Sequence, residues 1–372
     1  MRSLALVISS FCVTILGWGF YLPMLQWGQK AMNPGGPPSR WRSFFCLGIS
    51  YFLVGVIVPT VLLKMRGENG QWSARGIVSS LLGGALGAVG ALGAILAVNF
   101  GANPLYMAPI VFGCAPVVNT FLTTYMAGKT REIGPFFLAG LIMVALGAIT
   151  VLANAPHPPA AAPTTAAASS DAAKAADGKA TPAPARGKGS SFVLQVLSIA
   201  MIAICWGAYG PTLHKGQAAM GNSRLRPFIC VGMAYFLIAV CIPPLILASS
   251  GEPGKFTFDG TFWSLLAGGA GAIGALGIIM AFTFGGKPVY VMPLIFGGAP
   301  IVATFISIIS QKLTPNAFFL AGLIIGIAGA ALVLIFAPKG HAPAAHAHVP
   351  TPAPAPTPIP GVEPTTTEGG AV

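Results

Sequence analysis

The sequence predicts an all-α integral membrane protein, with ten transmembrane helices arranged as two inverted-topology five-helix repeats. Three observations lead there. The 372 residues are 55% hydrophobic and only 8% charged, against roughly a quarter charged in an average soluble domain. Ten charge-free apolar runs each approach or exceed the ~20 residues a helix needs to cross a bilayer core, and the second half of the chain repeats the first.

The first run, 3 to 25, follows Met1-Arg2 but continues through Trp18, Tyr21 and Pro23 without a small-residue cleavage site, so it reads as a retained helix and not a signal peptide. The second run, 43 to 63, contains Pro59. The third, 76 to 98, carries Gly83, Gly84, Gly87, Gly90 and Gly93. Small residues at three- and four-residue spacing let neighbouring backbones approach; plain packing and a sliding surface both fit. The fourth run, 104 to 126, holds Pro109 and Pro116, seven residues apart and so nearly on one face. Each proline removes a backbone donor, which predicts kinks suited to gating. The fifth run, 133 to 153, completes a first unit over 1–154.

Residues 155–190 are Ala, Pro, Thr and Ser with scattered charge, too poor in large apolar side chains to fold, and read as a linker. The second unit, 191–338, has runs at 191 to 213, 227 to 249, 261 to 286, 288 to 310 and 313 to 337, again with a glycine-rich third member and with Pro293 and Pro300 in the fourth. The tail, 339–372, is rich in Pro and Ala; its His341, His346 and His348 have no Cys or nearby carboxylate to complete a metal site, and no cofactor is expected. All six cysteines fall in or near apolar stretches and read as small buried hydrophobes.

The repeat is visible residue by residue. Phe100 to Val118 and Phe284 to Val302 share F-G-x-x-P-x-Y-x-x-P-x-x-F-G-x-A-P-x-V; Phe136 to Ile142 and Phe318 to Ile324 are both FFLAGLI. Trp18-Gly19 with Tyr21 and Pro23 returns as Trp206-Gly207 with Tyr209 and Pro211, and Ser39-Arg40-x-Arg42 as Ser223-Arg224-x-Arg226. Because five spans is an odd number, the second copy enters the membrane upside down. With the N-terminus inside, eleven Lys and Arg fall on the cytoplasmic side against five outside, or nine once the linker is counted. This places both termini in the cytoplasm. The net charge of +12 is spread over the ends of apolar runs, with no basic stripe for nucleic acid.

Matched broken helices point to the central site of a carrier, so the residues near the expected kinks are the binding candidates. They are Asn99, Tyr106, Asn119 and Thr120 in the first unit and Thr283, Tyr290 and Thr304 in the second, with Trp18, Tyr21, Trp206 and Tyr209 from the first helix of each. Amides and hydroxyls beside aromatic faces suit a neutral, hydroxyl-bearing solute such as a sugar. All eight acidic residues lie outside the apolar runs; facilitated diffusion, or a coupling ion such as Na⁺ held by carbonyls, is therefore favoured over a buried proton-relay carboxylate. A membrane-embedded transferase would need a base, nucleophile or metal cluster that the runs do not supply, so no enzymatic activity is expected.

The Trp-Gly-x-Tyr-x-Pro element, the glycine-rich third and eighth helices and the proline-bearing fourth and ninth resemble the drug/metabolite transporter superfamily, the ten-helix EamA-like members in particular. The Tyr-x-Pro placement is similar to the glucose/ribose and rhamnose sugar-porter branch. The resemblance implies a multi-pass plasma-membrane transporter, monomeric or homodimeric. It also implies a central cavity lined by helices one, three, four, six, eight and nine, and alternating access for a sugar, or for drugs, amino acids or other metabolites. The chain departs from small multidrug members in having no glutamate within its first helix.

Overall fold

The computed structural model describes residues 2–100, 104–128, 133–154, 188–311 and 314–336. Among these there are helices and no strands. In the first half they are α1 (Arg2–Ala31), α2 (Arg40–Phe52), α3 (Val58–Arg66), α4 (Ala74–Asn99), α5 (Pro104–Met126) and α6 (Pro135–Ala153). The second half repeats the order as α7 (Lys188–Ala219), α8 (Leu225–Tyr235), α9 (Ile242–Ser250), α10 (Phe258–Thr283), α11 (Pro288–Gln311) and α12 (Ala317–Phe336). Seven helical segments are long and apolar enough to cross a membrane: Ser3–Ala31, Arg40–Arg66, Ala74–Ala97, Phe192–Ala219, Leu225–Ser249, Phe258–Thr283 and Pro288–Ser310. Pro135–Val151 and Ala317–Val333 are shorter apolar helices.

Several expected boundaries move. Lys188 to Ser190 form the first turn of α7 instead of the end of the linker; the rest of that segment and the tail lie outside the described residues. The eighth run ends at Thr283 and not 286, because Gly285 turns with φ 93° and Pro288 opens the next helix. No helix ends at Pro109, Pro116, Pro293 or Pro300, the positions of the expected kinks. The helical assignment of α5 and α11 runs through all four positions. The breaks lie in the second helix of each half, where a π-helical turn, Leu53–Ile57 or Phe236–Val240, precedes Pro59 or Pro243. A wider turn frees the carbonyl that the missing proline N–H would have bonded, which is a usual cause of a local bend.

Packing follows the glycines and crosses between the halves. Helix α1 runs antiparallel along α10, Gly17 meeting Gly274 while Gly28 meets Gly260 and Ser264. Helix α7 does the same along α4, with Gly93 at Ile202, Gly83 at Leu213 and Gly76 at Gly216. The first helix of each half therefore lies on the third helix of the other. Segments α2–α3 and α8–α9 are likewise antiparallel, Gly48 against Ala239 and Gly55 against Gly232. Helices α6 and α12 close as a pair. Phe137, Gly140, Val144, Gly147 and Val151 form one buried stripe, and Phe319, Gly322, Gly326, Gly329 and Val333 the other. Their spacing of three and four residues makes a single face, and a side chain at Gly147 would strike the Gly326 backbone. The opposite faces leave Phe136, Phe318, Ile324 and Ile327 more than 60% exposed, as apolar surroundings require.

Candidate functional site

Where the two halves cross, a cavity of about 60 Å³ opens, several times the ~10–15 Å³ needed to admit a water. Trp18 and Tyr21 of α1, Tyr51 of α2, Gly87 of α4 and Phe112 of α5 line it from one half. Trp206 and Tyr209 of α7, Tyr235 of α8, Gly271 of α10 and Phe296 of α11 line it from the other. Each residue of the first set has its repeat partner in the second. The lining residues also sit near mid-height of their apolar segments, Tyr51 and Tyr235 at the middle of the continuous Arg40–Arg66 and Leu225–Ser249 segments.

The glycines are there because the rings need the space. A Cβ on Gly90 would meet the Trp206 indole, and one on Gly274 the Trp18 indole; at Gly87 and Gly271 it would lie 2.9 Å from the Tyr235 hydroxyl and from the Tyr51 ring. The glycine-rich faces thus serve as close packing and as seats for rings. With the indoles pressed onto backbone, Trp18 Nε1 donates to the Gly271 carbonyl at 3.2 Å and Trp206 Nε1 to the Gly87 carbonyl at 3.3 Å. The ring pairs Trp18–Phe296 and Trp206–Phe112 have centroids 6.3 and 6.1 Å apart at 41° and 39°. Between the halves Tyr51 and Tyr235 stack at 3.8 Å and 4°.

No family model matches this chain, and no curated protein matches it. Among solved structures 27 chains are similar; one, described only as the crystal structure of a protein, has TM-score 0.60 at 17% identity, covering 89% of this chain and 98% of that one. That likeness shows a shared fold.

The predicted site residues divide. Trp18, Tyr21, Trp206 and Tyr209 reach the cavity together. Tyr51 and Tyr235, Phe112 and Phe296 join them, so the second and seventh predicted spans contribute as well. Sequence reasoning passed over these four, although Tyr51-Phe52 recurs as Tyr235-Phe236 and both phenylalanines belong to the shared motif. Asn119 and Thr283 do not line the cavity. Asn119 is fully buried and its Nδ2 donates to the Pro288 carbonyl at 2.8 Å; Thr283 receives Gln217 Nε2 at 2.7 Å. Thr120 is buried beside Asn119, and the Tyr290 hydroxyl turns to the Gly285 carbonyl at 3.4 Å. The side chains of Asn99, Tyr106 and Thr304 lie outside the described residues.

The cavity wall is therefore rings, glycine and alanine. Both indole N–H groups are already spent on carbonyls, so what the site offers a solute is aromatic faces and the hydroxyls of Tyr21, Tyr51, Tyr209 and Tyr235. Such faces attract flat apolar groups and the positive face of an organic cation.

Among the described residues, charge is confined to the loops and the end portions of the helices. Glu252 accepts from Ser39 Oγ at 2.8 Å and from the Arg40 and Trp41 amides at 2.8 and 3.1 Å, and pairs with Arg42 at 3.2 Å. Its repeat partner Glu68 accepts from Ser223 Oγ at 2.5 Å and from the Arg224 and Leu225 amides at 2.8 and 3.1 Å, and pairs with Arg224 and Arg226. Each carboxylate caps the free amides at a helix start in the other half, where the helix dipole favours a negative charge. The arginines stack on matched rings, Arg42 on Phe256 and Arg226 on Trp72, both at 5.9 Å.

Proposed function

We propose that this chain is a multi-pass carrier for a small organic solute, working by alternating access between two inverted five-helix repeats that together make ten spans. The observation that carries the reading is the aromatic cavity at mid-height, to which both halves contribute the same residues across an antiparallel crossing. A site shared equally by two oppositely directed halves can be presented to either face by rocking one against the other. The motif resemblance to the drug/metabolite transporter superfamily supports the same reading. The excess of Lys and Arg on one set of loops supports cytoplasmic termini in a plasma membrane.

The solute class follows from the wall. A wall made mostly of ring faces, its polar groups confined to tyrosine hydroxyls, favours a molecule having a flat apolar or cationic surface, among the drug-like and metabolite solutes. A sugar stacks on such rings too, but needs hydrogen-bond partners; Asn119 lies two helical turns, roughly 10 Å, beyond Phe112 on α5. Purified protein in liposomes, assayed with sugars, planar aromatics and quaternary ammonium compounds, separates these. Saturable flux of an aromatic or cationic solute is expected, with affinity lowered about tenfold by Trp18→Ala or Trp206→Ala, about 1.4 kcal/mol each. Folded protein without saturable flux for any class overturns the carrier reading, and flux of sugars alone overturns the solute class.

A further inference from the structure

The two ends of the cavity are not closed alike. At the end where α10 turns into α11, Gln217 of α7 donates to the Ile279 carbonyl at 3.0 Å and to Thr283 Oγ1 at 2.7 Å, and Asn119 of α5 donates to the Pro288 carbonyl at 2.8 Å. Two helices, α7 and α5, are thus tied to the two sides of one turn. The Met292 side chain of α11 fills the space over Gly210 of α7. At the opposite end the repeat partner of Asn119 is Ala303, whose side chain carries no amide to donate. Gln29 stands where Gln217 stands in the other half; among the described residues its side chain makes no hydrogen bond, and none joins α1 to α4 or α5.

We propose that Asn119 and Gln217 form a one-sided latch that holds the α10–α11 end of the cavity shut, so that the resting protein opens at the other end. This rests on the carrier reading. Both amides are buried, and in both the carbonyl oxygen is left without a partner. Flipping either amide would set its oxygen against a backbone carbonyl, so the donor orientation is fixed by the partners. The unpaired oxygens weaken the closed state. A latch of two neutral amides, each under-satisfied, can release on solute binding in a way that an ion pair or an apolar seam would not. Asn119 and Thr283 are accordingly gating residues, not solute ligands.

Cysteine accessibility tests this without a known solute. In the full-length chain, with its six cysteines changed to alanine or serine, Ala91→Cys places a thiol in the cavity wall. Asn69→Cys marks the loop beside the α7 C-terminus, at the latched end, and Pro34→Cys the other end. Labelling with an impermeant maleimide in vesicles of each orientation should be at least tenfold faster from the Pro34 end. Asn119→Leu with Gln217→Met should move the ratio of the two rates about tenfold towards the Asn69 end, and Thr283→Val alone should move it less, in the same direction. Thr283→Val decides if the double variant does not fold. A ratio that stays within twofold in each folded variant overturns the latch and leaves the carrier reading standing; no labelling from either end in any variant overturns both.

Discussion

Trp18 and Trp206 make the same hydrogen bond in exchanged halves, 3.2 Å to Gly271 and 3.3 Å to Gly87, whereas Asn119 has only Ala303 at the matching place. The middle of the cavity keeps its symmetry and one end of it does not. Symmetry at the centre has a physical use: a site built from equivalent residues binds the same solute whichever half is displaced. At the ends symmetry has none, because identical closures would leave the two open states equal in energy. The side-chain difference Asn119 to Ala303 is of the size that shifts such a balance, a hydrogen bond being worth about 1 kcal/mol net. The loop staples resemble the centre, since Glu68 and Glu252 each hold a serine hydroxyl, two backbone amides and the matching arginine of the other half.

The largest effect that can break this comparison is at the staples. Glu68→Ala and Glu252→Ala each remove a carboxylate that caps two amides and holds an arginine whose side chain is 11% or 17% exposed. Each should lower stability by about 3 kcal/mol, the low end for breaking a buried pair, read as the midpoint of unfolding in detergent. Matching losses uphold equivalence of the two staples. A silent Glu252→Ala beside a costly Glu68→Ala would show that one end alone is held by charge.

A smaller effect sharpens the centre. Gly90→Ala and Gly274→Ala each drive a methyl into an indole, a crowding that costs about 1–3 kcal/mol, and move that indole off its carbonyl. Ligand affinity should fall about tenfold in each, and by the same factor in both, measured by titration of a solute identified in the flux assay. A tenfold disparity between the two would mean that the solute leans on one wall, and the equivalence of the halves would then be geometric only.

How far the sequence foretold this depends on whether a feature is local or lies between helices. The all-helical character, and the residue pairing that relates Trp18 to Trp206, follow from composition and a repeat that any reader can align. The aromatic part of the cavity was half legible: Trp18 and Tyr21 share a face of α1, but nothing in α2 alone says that Tyr51 meets Tyr235. Polar residues misled because hydropathy cannot tell a wall from a latch. Asn119 and Phe112 occupy the same side of α5, two turns apart, and only the packing of α11 decides which of them meets the cavity. The staples were missed for a related reason. Gly67-Glu68 and Gly251-Glu252 recur at one offset, as do Ser39 and Ser223, yet each glutamate serves the serine of the other half. Trp41, whose amide Glu252 accepts, is itself buried at 6% exposure through the same packing. Proline, too, was read locally. The sequence places it in the second and seventh runs as well as the fourth and ninth, and only the fold shows that π-helical turns precede Pro59 and Pro243.

The smallest expected effect concerns protons at one staple. Burial raises the Glu68 carboxyl, but donors from Ser223, the Arg224 and Leu225 amides and the Arg224 guanidinium outweigh it and leave the group below its ordinary value near 4.5. A depressed carboxyl stabilises the folded chain wherever the unfolded chain would also be ionised, above that ordinary value. The contribution is lost as pH falls from there through the folded value, because the unfolded chain takes the proton first. The unfolding midpoint should therefore be level from neutral pH down to about 5 and decline below it. Glu68→Gln, which cannot titrate, should start lower and decline less steeply. If the variant keeps the full acid slope, the decline belongs to other carboxylates, and the Glu68 staple holds the second half through geometry and packing more than through charge.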